Sequence, residues 1–82
     1  MSPAWRSFAI HWDPAALHVL YSLLPSTAAA VDRAVLRFAE TGEGDLRWAP
    51  PHYRLRAGRH DLVLAIDRRA GGACVLHVYR AR

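Results

Sequence analysis

Three short runs of strand-forming residues in the second half of the chain constrain its fold the most. They occupy residues 52–57, 60–67 and 73–80, and only Gly58-Arg59 and the segment RRAGG separate them. Short joints that contain glycine are typical of antiparallel hairpins. The middle run contains the apolar segment LVLAI, so it is predicted to be a central strand that is covered on both faces for part of its length.

A strand and a helix are predicted at the start of the chain. Apolar and polar residues alternate from about residue 5 to residue 12, which is the period of a half-buried strand. Asp13 and Pro14 then begin a helix, because the aspartate can accept from free amides of the first turn and proline fits the first helical position. Pro25 ends this helix. Its apolar stripe is predicted to comprise Leu17, Leu20, Tyr21 and Leu24.

A second helix is predicted to follow directly, with Ser26 or Thr27 as its N-cap and the GEG segment at residues 42–44 as its end. Residues 43–51 contain glycine and two consecutive prolines and are predicted to form a loop, since proline cannot donate to a strand ladder. The core face of this helix is predicted to hold Val31, Val35 and Phe38, with Ala34 and Gly42 as further members, and Asp32, Arg33, Arg37 and Glu40 are predicted to point away.

The predicted order of elements is therefore β-α-α-β-β-β. Two sequential helices and three consecutive strands indicate an α+β fold, in which a helical hairpin packs on one face of a small, mainly antiparallel sheet. The 82 residues form a single domain, 1–82, near the lower size limit for a core without disulfides or metal. A hydrophobic content of 52% indicates a folded globular chain rather than a disordered one.

The first hairpin predicts which side chains share a face of the sheet. If Gly58 and Arg59 form a two-residue turn, Arg56 lies opposite Asp61, because residues opposed across a ladder share a face. Arg54 then joins Arg56 on a face that the helices leave open. The helix-covered face is predicted to hold Tyr53, Leu55, Leu62, Leu64 and Ile66.

The last strand is assigned by the same alternation. Its purely apolar positions, Cys74, Leu76 and Val78, are predicted to join the core. The open face would then carry Val75, His77 and Tyr79 beside the two arginines and the aspartate.

The basic residues are all arginine, and their distribution is uneven. Up to Asp45 there are three arginines against five acidic residues, a net charge of −2; from Leu46 onward there are eight against two, a net charge of +6. The C-terminal half is the candidate surface for an anionic partner, either nucleic acid or an acidic polypeptide. A merely solubilising surface is the alternative.

Cysteine content and hydropathy indicate where such a chain resides. Its one cysteine excludes an internal disulfide and fits a reducing compartment. No apolar run is long enough to cross a bilayer, and the N-terminus lacks a signal-peptide core, so we expect a cytoplasmic protein without membrane contact. Neither a metal-ligand spacing nor a phosphate-binding glycine loop is present, so no metal and no cofactor is expected.

Several segments resemble the RelE/ParE superfamily of bacterial toxins from type II toxin–antitoxin pairs. They are YRLRAG at residues 53–58, the hydrophobic strand ending in ID, the glycine turn, and VLHVYRAR at residues 75–82. The resemblance covers nearly the whole chain, and its characteristic part is residues 53–82. It implies a toxin that a co-expressed antitoxin holds inactive by wrapping around it. When free, such a toxin either cleaves mRNA on the ribosome, like RelE, or inhibits DNA gyrase, like ParE.

The resemblance carries over to some residues and not to others. Arg54 and Arg56 stand where the RNA-cleaving members have basic residues, which implies that they contact phosphate, and we assign Arg80 to the same RNA-binding set. Where the family often has an arginine near the start of the next strand, this chain has Asp61. Trp48 either stacks on a base of single-stranded RNA or pins its loop to the sheet edge.

The chemistry of RNA cleavage assigns the other candidates. Attack by the 2′-hydroxyl needs a base, cations for the charged transition state and an acid for the leaving 5′-oxygen. Arginine suits only the second role, because it stays charged. His77 or Tyr79 is then the acid, with His77 preferred because imidazole titrates near neutrality, and Asp61 is the base. Alternatively, Asp61 forms an ordinary cross-strand ion pair with Arg56, and His77 is simply half-exposed.

Three functions therefore stay open from the sequence. An endoribonuclease toxin is favoured by the arginines, His77 and Tyr79 on one face. A gyrase-binding toxin is favoured by Asp61 and the short C-terminal segment. The third is a basic RNA- or protein-binding domain that has the fold without the toxicity. Either toxin would have a cognate antitoxin, which the net charge of +6 predicts to be acidic and to fold on binding.

Overall fold

The computed structural model describes residues 7–81, which form two helices and five strands in the order β-α-α-β-β-β-β. The part of the first predicted strand that precedes residue 7 lies outside the described residues. The elements are β1 (Ala9–Trp12), α1 (Pro14–Ser22), α2 (Pro25–Thr41), β2 (Asp45–Ala49), β3 (His52–Ala57), β4 (His60–Asp67) and β5 (Gly72–Arg80).

One five-stranded sheet has the order β1-β5-β4-β3-β2. β1 runs parallel to β5, and the other three pairs are antiparallel. β4 is the middle strand, as its apolar sequence predicts. The expected α+β fold, with a helical hairpin against a small and mainly antiparallel sheet, is confirmed. Neither helix within residues 7–81 is long and apolar enough to span a membrane.

The loop predicted at residues 43–51 is wrong, because β2 lies within it and pairs with β3 along its whole length. Leu46 and Trp48 alternate with polar neighbours, which is the pattern of a strand. Pro50 and Pro51 are confined to the turn between the two strands, where they interrupt no ladder. The two prolines follow directly after β2, so they mark the end of a strand and not a long loop.

Helix α1 begins as predicted. The Asp13 carboxylate accepts a hydrogen bond from the backbone N–H of Ala15 at 2.9 Å, and Pro14 is the first helical residue. The predicted stripe is wrong at Tyr21 and Leu24, which are 76% and 73% exposed, and the helix ends at Ser22, before Leu24. The helix instead buries Ala16 and Leu20, so its inner face is rotated from the predicted one, and the small Ala16 occupies the buried position next to Leu20.

Helix α2 differs from the prediction at its start and in part of its core face. Leu24 is the N-cap residue and no side chain caps the helix, so the predicted caps Ser26 and Thr27 are wrong; Pro25 takes the first helical position and draws both into the first turn. The helix ends as predicted at Gly42, whose φ of 76° is a left-handed conformation suited to glycine. Its buried residues are Val31, Val35, Phe38 and Ala39. The predicted members Ala34 and Gly42 are only partly buried.

A β-bulge in β5 overturns part of the predicted face assignment. Val63 pairs with His77 and Leu64 pairs with Val75, so Leu76 is an extra residue without a partner on β4. Because the bulge reverses the alternation, Val75 is buried in the core, whereas Cys74 and Leu76 are only partly buried. The prediction that Cys74 and Leu76 join the core is therefore wrong, and so is the prediction that Val75 lies on the open face. Val78, His77 and Tyr79 lie on the faces that were predicted for them.

The core lies between the helical hairpin and one face of the sheet. Each large aliphatic side chain buried there stabilises the fold by about 1.5–3 kcal/mol. The largest fully buried side chains are those of Leu55, Leu62, Leu64, Val31, Val35 and Val75.

Candidate functional site

Two rows of side chains cross the face of the sheet that points away from the core. The hairpin register is the predicted one, with Arg56 opposite Asp61 and Arg54 opposite Val63. Strand β2 extends each row on one side and β5 extends each row on the other. The first row comprises Asp45, Arg56, Asp61 and Tyr79, and the second comprises Arg47, Arg54, Val63 and His77.

Asp61 and Arg56 form the tightest polar contact of this face. The Arg56 Nε donates to the Asp61 Oδ1 at 2.6 Å. The Asp61 residue is only 4% exposed, whereas the Arg56 side chain is 45% exposed. The buried carboxylate is thus paired with an arginine side chain that is still nearly half exposed. This contact orients Arg56 and leaves it able to bind an anion.

Arg54 lies beside Tyr79 on the diagonal between the two rows. A hydrogen bond with the Tyr79 side chain is the main cause that raises the pKa of Arg54 above its usual value, and the Asp61 carboxylate adds to the same effect. Arg54 makes no ion pair within residues 7–81. Its guanidinium is therefore a permanently charged group whose fork is not taken up by a carboxylate.

A polar depression of about 110 Å³ lies over this part of the sheet. Three arginines and two aspartates line it, and the aspartates already pair with two of the arginines: Asp61 with Arg56, and Asp45 with Arg47 at 3.3 Å between Oδ1 and Nε. Both members of the second pair are well exposed, so this contact is weak. Arg54 is the lining arginine that makes no ion pair within the described residues.

His77 lies at the far end of the second row. It is exposed and pairs with Val63, the residue that separates it from Arg54. Two strand spacings place the backbones of His77 and Arg54 about 10 Å apart. The short Val63 side chain lies between them in the same row.

Two of the predicted site residues are not part of this cluster. Trp48 pairs with Tyr53 on the opposite face, where the two rings are tilted by 58° at a centroid distance of 4.9 Å, and Trp48 is 59% exposed. Arg80 pairs with His60 and also points to the helix side. The structure thus brings together five of the seven candidates, and the RNA-binding roles of Trp48 and Arg80 stay predictions.

Two residues of the site were missed from the sequence. Asp45 and Arg47 belong to β2, a segment that the sequence analysis predicts to be a loop. No face of the sheet was therefore predicted for either residue. The alternation in DLRWA, followed by a proline turn and a second alternating run, was the signal that could have revealed them.

Arg56→Ala should destabilise the fold by about 1–3 kcal/mol, because it leaves the buried Asp61 carboxylate without its ion pair. Arg54→Ala is the matched control: it removes the same side chain from the same strand and face but breaks no ion pair, so its effect should stay within about 0.5 kcal/mol. Urea unfolding of both variants measures the difference. Equal losses would show that the ion pair contributes nothing.

Comparisons with known proteins bear on this geometry at the level of the fold. No protein-family model and no curated protein matches the sequence. Among solved structures, the chain is similar to one in the RelBE2 toxin–antitoxin complex from Mycobacterium tuberculosis, with a TM-score of 0.79, 18% identity, and coverage of 96% of this chain and 97% of that one.

Two E. coli structures agree with this result. The isolated RelE toxin gives a TM-score of 0.72 at 20% identity, over 93% of this chain and 86% of that one. A chain of the intact RelBE toxin–antitoxin complex gives the same TM-score and identity, over 93% and 99%. The protein therefore has the fold of the RelE toxins, which confirms the architecture that the RelE/ParE resemblance of its sequence implied.

Proposed function

We propose that this protein is the toxin of a type II toxin–antitoxin pair, and that it stops translation in the cytoplasm by cleaving mRNA on the ribosome. The RelE-like fold supports the first part. The observation that carries the second is Arg54, a cation that makes no ion pair within residues 7–81 and that Arg56 and Arg47 flank, with a pKa raised mainly by the Tyr79 side chain. Guanidinium groups arranged in this way match the geometry of a phosphodiester.

The proposed reaction uses the 2′-hydroxyl of the RNA as the nucleophile. Its oxygen attacks the adjacent phosphorus while the bond from phosphorus to the 5′-oxygen breaks, which yields a 2′,3′-cyclic phosphate and a 5′-hydroxyl end. A base removes the proton of the 2′-hydroxyl, and an acid protonates the leaving oxygen. Arg54 and Arg56 stabilise the charge that develops on the phosphate oxygens.

His77 is the acid in this proposal. It is exposed, it lies across Val63 from Arg54, and imidazole can both donate and accept a proton. Tyr79, through its hydrogen bond to Arg54, helps to hold the phosphate.

The base role fits Asp45 better than Asp61. The Asp61 carboxylate is buried against Arg56, which supports a positioning role for it, whereas the Asp45 carboxylate is exposed and held only by a weak contact with Arg47. Asp45 on β2 and His77 on β5 lie on either side of the β3 arginines. This is the order that an in-line displacement requires, with the base on one side of the phosphate and the acid on the other.

Induced expression of the chain without a partner tests the function. Growth should stop, and mapping of mRNA 5′ ends should reveal new ends with a 5′-hydroxyl that are absent in cells expressing the His77→Ala variant. Unchanged mRNA ends together with altered plasmid supercoiling would support the gyrase-binding alternative. Normal growth with neither change would support the third alternative, a non-toxic RNA- or protein-binding domain.

An apolar groove of about 730 Å³ supports the antitoxin as partner. It lies between the helical hairpin and the β3–β4 turn, and Leu23, Leu24 and Val31 are among its lining residues. Arg59 and Arg80 also line it, so apolar and basic groups meet there. An acidic amphipathic segment that folds on binding complements both features, and we assign the groove to such a segment of the cognate antitoxin.

Ala30→Glu should lower antitoxin affinity at least about 100-fold, because it inserts a bulky negative charge into a groove proposed to receive acidic residues. Ala29→Glu is the matched control: it is the neighbouring exposed helix residue, and it does not line the groove. Co-purification of the short acidic chain, followed by titration calorimetry with both variants, measures the effect. Equal binding by the two variants would place the antitoxin elsewhere.

A further inference from the structure

A second depression, of about 490 Å³, opens where β2 begins. Arg33 and Arg37 of α2 line it together with Glu43 and Gly44. Arg56 lines both this depression and the smaller one on the sheet face. The two depressions therefore meet at Arg56, so that a ligand bound on the sheet face can continue around the edge of the sheet toward α2.

The arginines of α2 are available to an anionic ligand. Arg33 is exposed and makes no ion pair within residues 7–81. Arg37 donates to the Glu43 Oε2 from both Nε and Nη2, but both side chains are more than half exposed. An exposed ion pair of this kind contributes only about 0–1 kcal/mol, so a phosphate can displace the glutamate.

Gly44 links the second depression to the start of strand β2. It lies in the lining of the second depression, directly before Asp45 of β2, and its φ of 146° favours glycine. A Cβ at this position would meet the Leu55 side chain at 3.0 Å. Because Leu55 is a buried core residue, the packing and the backbone conformation both favour glycine at this junction of the two depressions.

We propose that Arg33 and Arg37 form a subsite for the backbone phosphates of RNA nucleotides that flank the cleavage position. This inference rests on the proposed function, because the sheet-face site must bind the scissile phosphate first. Glu43 competes with RNA for Arg37 and so limits affinity in the free protein. An acidic peptide suits this depression less well than RNA does, because the depression is continuous with the phosphate site rather than with the apolar groove.

Equilibrium binding of single-stranded oligoribonucleotides of two lengths tests the subsite. The protein carries His77→Ala so that the probe stays intact, and the probes are about four and about ten nucleotides long, the shorter one sized for the sheet-face site. Arg33→Ala should weaken binding of the longer probe about 5–10-fold at low salt and leave the shorter one unchanged. The slope of log affinity against log salt should fall by about 0.7 for the longer probe, the loss of one phosphate contact on a single strand.

Two further variants sharpen the result. Glu43→Gln should tighten binding of the longer probe about twofold to fivefold, because it releases Arg37 and removes a negative charge. Arg68→Ala is the matched control, since it removes an equally exposed arginine from the turn between β4 and β5 and should have no length-dependent effect. All three variants change exposed side chains and should keep the unfolding temperature of the parent.

The outcomes separate this subsite from the proposed function. Equal affinities of the Arg33→Ala and Arg68→Ala proteins for the longer probe, with binding that still depends on Arg54, would overturn the subsite alone. Tighter binding by Glu43→Gln and weaker binding by Arg33→Ala, both limited to the longer probe, support it. No binding of either probe, whether the probe is free or bound in the ribosome, would overturn the subsite together with the RNA-cleaving function.

Discussion

His77→Ala should lower RNA cleavage about 10²–10⁴-fold, the range expected when a general acid is removed, while RNA affinity stays nearly unchanged. The imidazole is exposed at the end of its row and makes no hydrogen bond or ion pair within residues 7–81, so its loss costs little stability. Single-turnover cleavage of a ribosome-bound message measures the chemical step, and binding to the same message is measured in parallel.

The control for this variant is His18→Ala. His18 is an exposed histidine of α1 and lies far from the open face of the sheet, so its removal should change neither cleavage nor affinity. A His77→Ala protein that cleaves at the parental rate would remove histidine from the mechanism and would leave Tyr79 as the acid. A protein that loses affinity and cleavage in equal measure would indicate that His77 binds RNA instead of transferring a proton.

The first hairpin could be predicted from sequence because two independent signals agree there. Gly58 takes a φ of 62°, which suits a tight turn, and the alternation of arginine with apolar residues fixes which side of β3 faces the core. The sequence therefore predicts the correct face of the sheet for Arg54, Arg56 and Asp61. Most of the candidate site follows from this one register.

The bulge in β5 could not be predicted in the same way. Residues 73–76 are all apolar or small, so exchanging the inward and outward positions changes nothing in the pattern. The choice between Cys74 and Val75 for the core is made by pairing with β4, where Leu64 lies opposite Val75. Polar and apolar residues alternate again from His77 onward, after the bulge. The face of His77 and Tyr79 is therefore predicted correctly.

Asp45 and Arg47 illustrate a different limit. Their strand forms only because β3 offers it an edge to pair with, and the local composition of glycine and proline around it favours a loop. Pairing outweighs local preference in this segment. As a consequence, the five predicted residues that lie together are on three strands, whereas the structure extends the site to a fourth strand and adds an exposed carboxylate.

Arg54→Ala should lower cleavage about 10²–10³-fold and also weaken RNA binding, because the side chain contacts the phosphate both before and during reaction. The loss in affinity should shrink as salt rises, since the contact releases counterions. Arg54→Lys should recover part of the affinity and less of the rate, because lysine keeps the charge but lacks the planar fork. Arg69→Ala, an exposed arginine in the turn between β4 and β5, is the matched control and should leave both quantities unchanged.

The pH dependence of this variant separates the role of Arg54 from that of the proton-transfer groups. The hydrogen bond with Tyr79 raises the pKa of Arg54, and a raised pKa means that a basic group keeps its charge until the pH exceeds that value. Arg54 is therefore charged throughout the range in which RNA can be assayed. The pH–rate profile of Arg54→Ala should keep the shape of the parental profile at a lower height, whereas the profile of His77→Ala should lose the limb that the acid produces. A profile that changes shape in Arg54→Ala would show that this arginine tunes a neighbouring proton donor, and the phosphate-binding role would then pass to Arg56.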